Sequence, residues 1–147
     1  MRSDSSQLAA YRFDTSEWPI VYCPSLGRVA DADIDSESFY DEAFKLLARG
    51  ERVAYVHDLS GGKPMSATRR RRFSRFIEDE RERLQRNVAC VAVVLDSRVL
   101  EGVVTAVTWV VPPFVPLKVF YNDKRAAYEW ARAQLEAKPH GSPILAR

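Results

Sequence analysis

The densest group of reactive side chains is the segment His57-Asp58-Leu59-Ser60-Gly61-Gly62-Lys63-Pro64-Met65-Ser66, which brings together an imidazole, a carboxylate and two hydroxyls. These are the residue types of a hydrolytic nucleophile, base and orienting acid. Such chemistry needs the nucleophile on a sharp turn, and no Gly-x-Ser-x-Gly elbow occurs in the chain. Neighbouring residues of a strand point to opposite faces, so His57 and Asp58 are expected to diverge rather than form a dyad. Asp58 reads as a strand-end carboxylate that bonds loop amides, and no catalytic residue is assigned. The glycines and Lys63 suggest a phosphate loop, but Walker spacing is absent and Pro64 follows the lysine directly. The segment is read as a turn, with no cofactor. His140, the only other histidine, falls beyond the last expected helix, and Cys23 and Cys90 lie apart inside apolar runs. No metal site is therefore expected, and the cysteines read as buried free thiols.

Arg69, Arg70, Arg71, Arg72 and Arg75 form the strongest local charge feature, interleaved with Phe73 and Phe76. Arginines among aromatics can hold a nucleic acid or an anionic membrane surface. Against this, Glu78, Asp79, Glu80 and Glu82 follow, and Asp79–Arg83 and Glu82–Arg86 have the spacing of helical ion pairs. The phenylalanines also fit a core stripe, so a self-paired solvated helix face explains the same residues.

These groups must be carried by a scaffold, and the pattern around them is regular. Tyr11 to Phe13 and Ile20 to Cys23 read as an N-terminal hairpin. Ser36 can cap a helix carrying Phe39, Ala43, Phe44, Leu46 and Leu47, closed by Gly50. Val53 to Val56 reads as a buried strand running into His57 and Asp58. Ser66 can cap a second helix to about Arg86, with Phe73, Phe76, Ile77 and Leu84 along its apolar stripe. Val88 to Leu95 contains no charge and suits a central strand. From Ser97 to Val111 the polar residues Glu101, Thr105 and Thr108 recur at helical steps, which predicts a third helix. Leu117 to Tyr121 is a last strand, and Asp123 can cap a final helix bearing Ala127, Trp130, Ala131 and Leu135. Strands alternating with helices predict an α/β domain with a mixed, mostly parallel sheet, an N-terminal hairpin and about four helices.

The 147 residues suit one domain at 11–137 between tails at 1–10 and 138–147 expected to be disordered. The formal charge of +2 gives no global attraction to nucleic acid. The start of the chain has no secretory pattern, and no apolar run reaches the roughly 20 residues of a spanning helix. A cytoplasmic, bacterial-type setting is expected. Trp109 and Phe114, beside Pro112, Pro113 and Pro116, can form a second apolar face toward a partner, a lipid or a second copy, or can belong to the core.

The element order, with HDLSGGKPMS after the third strand and VFYNDKRAAYEWARAQL at the end, resembles the STAS domain family. The similarity is closest to its SpoIIAA-like (STAS/SEC14-like) branch and covers about Tyr11 to Leu135. The resemblance implies a non-enzymatic regulatory module for protein–protein interaction. It also implies that Ser66, at the start of the second helix, matches the serine that antagonist members have phosphorylated. Here Met65 precedes it and Ala67 and Thr68 follow, unlike the usual Asp-Ser-Ser-Gly pattern, and the favoured reading of Ser66 is a plain helix cap that accepts a backbone N–H. The expected docking surface comprises Asp58, Ser60, Ser66, Arg69 and Arg72, with Trp109 and Phe114 as a second face. Its occupant is expected to be a protein or a small apolar ligand; the alternative is a polyanion held through Arg69 to Arg75.

Overall fold

Three largely buried runs, Ile20–Cys23, Val53–Asp58 and Val88–Leu95, lie side by side in one sheet. The computed structural model describes residues 9–10, 12–24, 34–35, 37–60, 67–96 and 115–137. Its elements are β1 (Ala9–Ala10), β2 (Asp14–Glu17), β3 (Ile20–Cys23), β4 (Ile34–Asp35), α1 (Glu37–Ala48), β5 (Val53–Asp58), α2 (Ala67–Asp79), α3 (Arg81–Asn87), β6 (Val88–Leu95), β7 (Leu117–Tyr121) and α4 (Lys124–Glu136). The main sheet has the order β2-β3-β5-β6-β7, and β1 pairs with β4 separately, in parallel. Only β2 runs antiparallel; β3, β5, β6 and β7 are parallel neighbours. The chain is a single small α/β domain with a mixed, mostly parallel sheet and four helices among the described residues.

The side-chain period of two sorts each strand into two cores. Val21, Cys23, Val53, Tyr55 and Val88 face α1, α2 and α3, where Tyr40, Leu47, Phe76 and Leu84 meet them. Ile20, Ala54, Val56, Cys90, Ala92 and Val94 face α4, whose Ala127 and Ala131 are fully buried and let the helix approach the sheet closely. Cys23 and Cys90 are both buried free thiols on opposite faces. Burial pushes the Cys90 thiol up to about 12 and the Cys23 thiol higher still.

Local signals set most of the boundaries. Gly50, at φ 70°, takes the left-handed position that ends α1, and its N–H bonds the Leu47 carbonyl at 3.1 Å. Asp123 caps α4 by accepting from the Ala126 N–H at 2.9 Å. Arg52 secures the other end of α4: its guanidinium donates to the carbonyls of Leu135 (2.8 Å) and Gln134 (3.4 Å).

Three expectations need correction. The hairpin's first strand is Asp14–Glu17 rather than Tyr11 to Phe13; every side chain of that segment is exposed, so no alternation marks it and pairing with β3 alone makes it a strand. The second helix is two, because Glu80 leaves the helical region at φ −106°, ψ 19°. Hydrogen bonds still run through the break, from Glu80 N–H to Phe76 and from Leu84 N–H to Glu80. Ion pairs form at spacing three, Glu78–Arg81 at 3.7 Å and Glu80–Arg83 at 3.6 Å, rather than at the spacing of four expected for Asp79–Arg83 and Glu82–Arg86. The third helix expected at 97–111 and the caps Ser36 and Ser66 lie outside the described residues, and Ala9 and Ala10, assigned to the tail, take part in β1.

Candidate functional site

Because β3, β5, β6 and β7 are parallel, their last residues share one edge of the sheet, the place where open α/β sheets bind ligands. In register, Cys23 stands beside His57, Asp58 beside Val94, and Leu95 beside Tyr121. The polar ends of β5 are thus held among apolar neighbours, which decides how each must be satisfied.

Asp58 is buried, yet it is well partnered. The Tyr22 hydroxyl donates to its Oδ2 at 2.5 Å, and the Ser60 N–H donates to Oδ1 at 2.9 Å. The Ser60 hydroxyl donates to Oδ1 as well. A buried carboxylate is tolerated only with such donors. The expected role, a strand-end carboxylate bonding a loop amide, is what the Ser60 contact provides. Asp58 consequently fixes the turn that leaves β5.

His57 lies on the opposite face. Its ring stacks on Tyr55 (centroids 5.8 Å, 28°) and lies 6.3 Å from Phe39 in the first turn of α1. The residue is only partly exposed, the aromatic packing around its ring disfavours the cation, and burial lowers its pKa to about 4. The divergence of His57 and Asp58 expected from strand geometry is therefore observed, and the two form no dyad.

Arg72 is used by the fold. It donates to both carboxylate oxygens of Glu37 at 3.0 Å each, and its guanidinium lies 3.8 Å from the Tyr40 ring centroid. The bidentate bond holds the Glu37 carboxyl below its usual range. α1 is in this way tied to α2, and the arginine that the sequence places in a docking surface is a clamp between helices. Arg69 is half-buried on the inner flank of α2, one turn before Arg72, while Arg70, Arg71 and Arg75 are exposed. Ser66, Trp109 and Phe114 lie outside the described residues.

Three residues at this edge escape sequence reasoning. Tyr22 and Tyr128 stack (6.4 Å, 26°), and Lys124 Nζ sits 3.9 Å from the centroid of the Tyr22 ring. Burial raises the Tyr128 hydroxyl, and Asp14 and Glu17 add to that rise. Tyr22 is hidden in the apolar run Ile20 to Cys23; the only available signal is that it shares a sheet face with Asp58 once β3 is set parallel to β5. Lys124 carries a weak cue, a cation in the first turn of a helix whose dipole disfavours it.

Among the described residues no group of three or more His, Cys, Asp or Glu could hold a metal, and no helix is long and apolar enough to cross a membrane. Comparison of the chain with family models, with curated proteins and with solved structures finds no match.

Proposed function

We propose that the chain is a non-enzymatic, STAS-like regulatory module of the cytoplasm that docks a protein partner or a small apolar ligand at the carboxyl edge of its sheet. The observation that supports this reading is the state of Asp58. Its two oxygens are engaged by Tyr22 and Ser60, so the carboxylate shapes a turn instead of taking a proton from a substrate. His57 is turned to the other face. The reduced thiols buried at Cys23 and Cys90 suit a reducing compartment. Within the docking surface, Ser60 and Arg69 flank the loop, and Arg72 contributes through α1 rather than by direct contact.

The polyanion reading is the weaker one. Arg72 is already committed to Glu37, and Glu78 and Asp79 follow on the same helix, where they would repel a long anionic chain.

A photo-crosslinking amino acid at Ser60, with a control at Lys118 on the far strand, tests the proposal in lysate of the native cell. One discrete partner or ligand should be captured from Ser60 and not from Lys118, and Arg69→Glu should reduce that capture. Turnover of any substrate by the purified protein that disappears on Asp58→Asn would overturn the non-enzymatic reading; equal capture from both positions would overturn the assigned surface.

A further inference from the structure

α2 carries its charges in the order that its own backbone least favours. Arg69, Arg70, Arg71, Arg72 and Arg75 fill its first half with no acidic residue in the first turn, whereas Glu78 and Asp79 close it. The helix macrodipole favours the reverse order by about 0.3–1 kcal/mol per surface charge. Arg71 and Arg75, four apart, add like-charge repulsion. Arg72 has its reason in Glu37 and Tyr40. No such reason holds for Arg71 and Arg75: both are exposed, and among the described residues Arg71 reaches only Thr68, at 3.5 Å.

Arg71 and Glu78 are two helical turns apart, which returns them to within about 20° of the same side and about 10 Å along the axis. With Ser74 and Arg75 between them they form the outward stripe of α2, positive at its start and negative at its end. Glu78 is largely exposed and, among the described residues, is paired with Arg81 alone, at the long distance of 3.7 Å. A surface of this kind is its own complement. A two-fold rotation about an axis between Ser74 and Arg75 puts Arg71 of one copy opposite Glu78 of the other, and the reverse. It also sets the two helix dipoles antiparallel.

We propose that the outer face of α2 pairs with the same face of a second copy of this chain, antiparallel, through two reciprocal Arg71–Glu78 contacts. This pairing is isologous, so it closes at a dimer. It is independent of the docking reading at the sheet edge, since none of its contacts involves Asp58 or Ser60. Exposed ion pairs contribute about 0–1 kcal/mol each, so the dimer is weak and salt-sensitive.

Charge-swapped variants test it. Arg71→Glu with Arg75→Glu makes the stripe acidic; Glu78→Lys with Asp79→Lys makes it basic. Sedimentation equilibrium on the wild type should show a monomer–dimer equilibrium whose dissociation constant rises about tenfold or more between about 0.02 M and about 0.5 M salt. Each variant alone should stay monomeric while keeping the wild-type circular dichroism spectrum. The two mixed should form a heterodimer at least as tight as the wild-type dimer. A wild type that is monomeric at low salt overturns the proposal, as does a dimer indifferent to both pairs of substitutions or a mixture that fails to associate. A monomeric wild type that binds a short poly-glutamate, and loses it in the acidic variant, would overturn it in favour of an acidic protein partner. Should one double variant misfold, wild type mixed with the other gives the same reading: it must compete with, not add to, the wild-type dimer.

Discussion

Replacing His57 by Phe keeps the aromatic contacts with Phe39 and Tyr55 and removes the one group in that layer that would have to charge in acid. The folded-state pKa of His57 is lowered to about 4, against about 6.5 in an unfolded chain. Between those values the unfolded state binds the proton and the folded state does not, so stability falls as the pH falls from about 6.5 and the loss is complete near pH 4. At 1.36 kcal/mol per pH unit, the His57 contribution reaches about 2 kcal/mol at pH 5 and about 3 kcal/mol at pH 4; the partial exposure of the residue reduces it, to about half at the lower limit. For a chain of this length, 2 kcal/mol corresponds to about 4–8 °C in Tm. The assay is thermal or urea unfolding of wild type and His57→Phe from pH 7.5 to pH 4.5. Carboxylate titration is common to both proteins and cancels in the difference. The variant should match the wild type within about 1 kcal/mol at neutral pH and exceed it increasingly in acid. Parallel stability curves across that range would refute the burial argument for His57.

Two further outcomes follow from single contacts. Arg52→Met should cost about 2 kcal/mol in urea unfolding, the charged bonds to the last carbonyls of α4 plus the dipole term, and should speed amide exchange in the last turn of α4; a loss under about 0.5 kcal/mol would mean that the helix end is satisfied without it. Tyr22→Phe should cost about 1–2 kcal/mol by removing one donor from buried Asp58 and should loosen the Ser60 turn, seen as faster exchange of the Ser60 amide; unchanged exchange there would show that Ser60 holds Asp58 alone.

Much of the fold was legible because its signals are local. The uncharged run Val88–Leu95 could satisfy its side chains only between two layers, and it is an interior strand, flanked by β5 and β7, with those limits. Asp123 and Gly50 announced a helix start and a helix end, because a capping oxygen and a left-handed φ are properties of single residues. The opposite facing of His57 and Asp58 followed from the pleat alone. Tertiary structure was needed wherever a partner distant in sequence makes the decision. Asp14–Glu17 is polar throughout and becomes a strand only because β3 offers it an edge. Arg72 looks identical to its neighbours in sequence; it differs because α1 brings Glu37 and Tyr40 against it, 35 residues away for the carboxylate. Tyr22 reaches Asp58 across 36 residues, a contact that exists only once the two strands lie side by side. Propensity, capping and alternation are written in neighbouring residues, whereas the polar contacts that define the sheet edge depend on how separate elements are brought together.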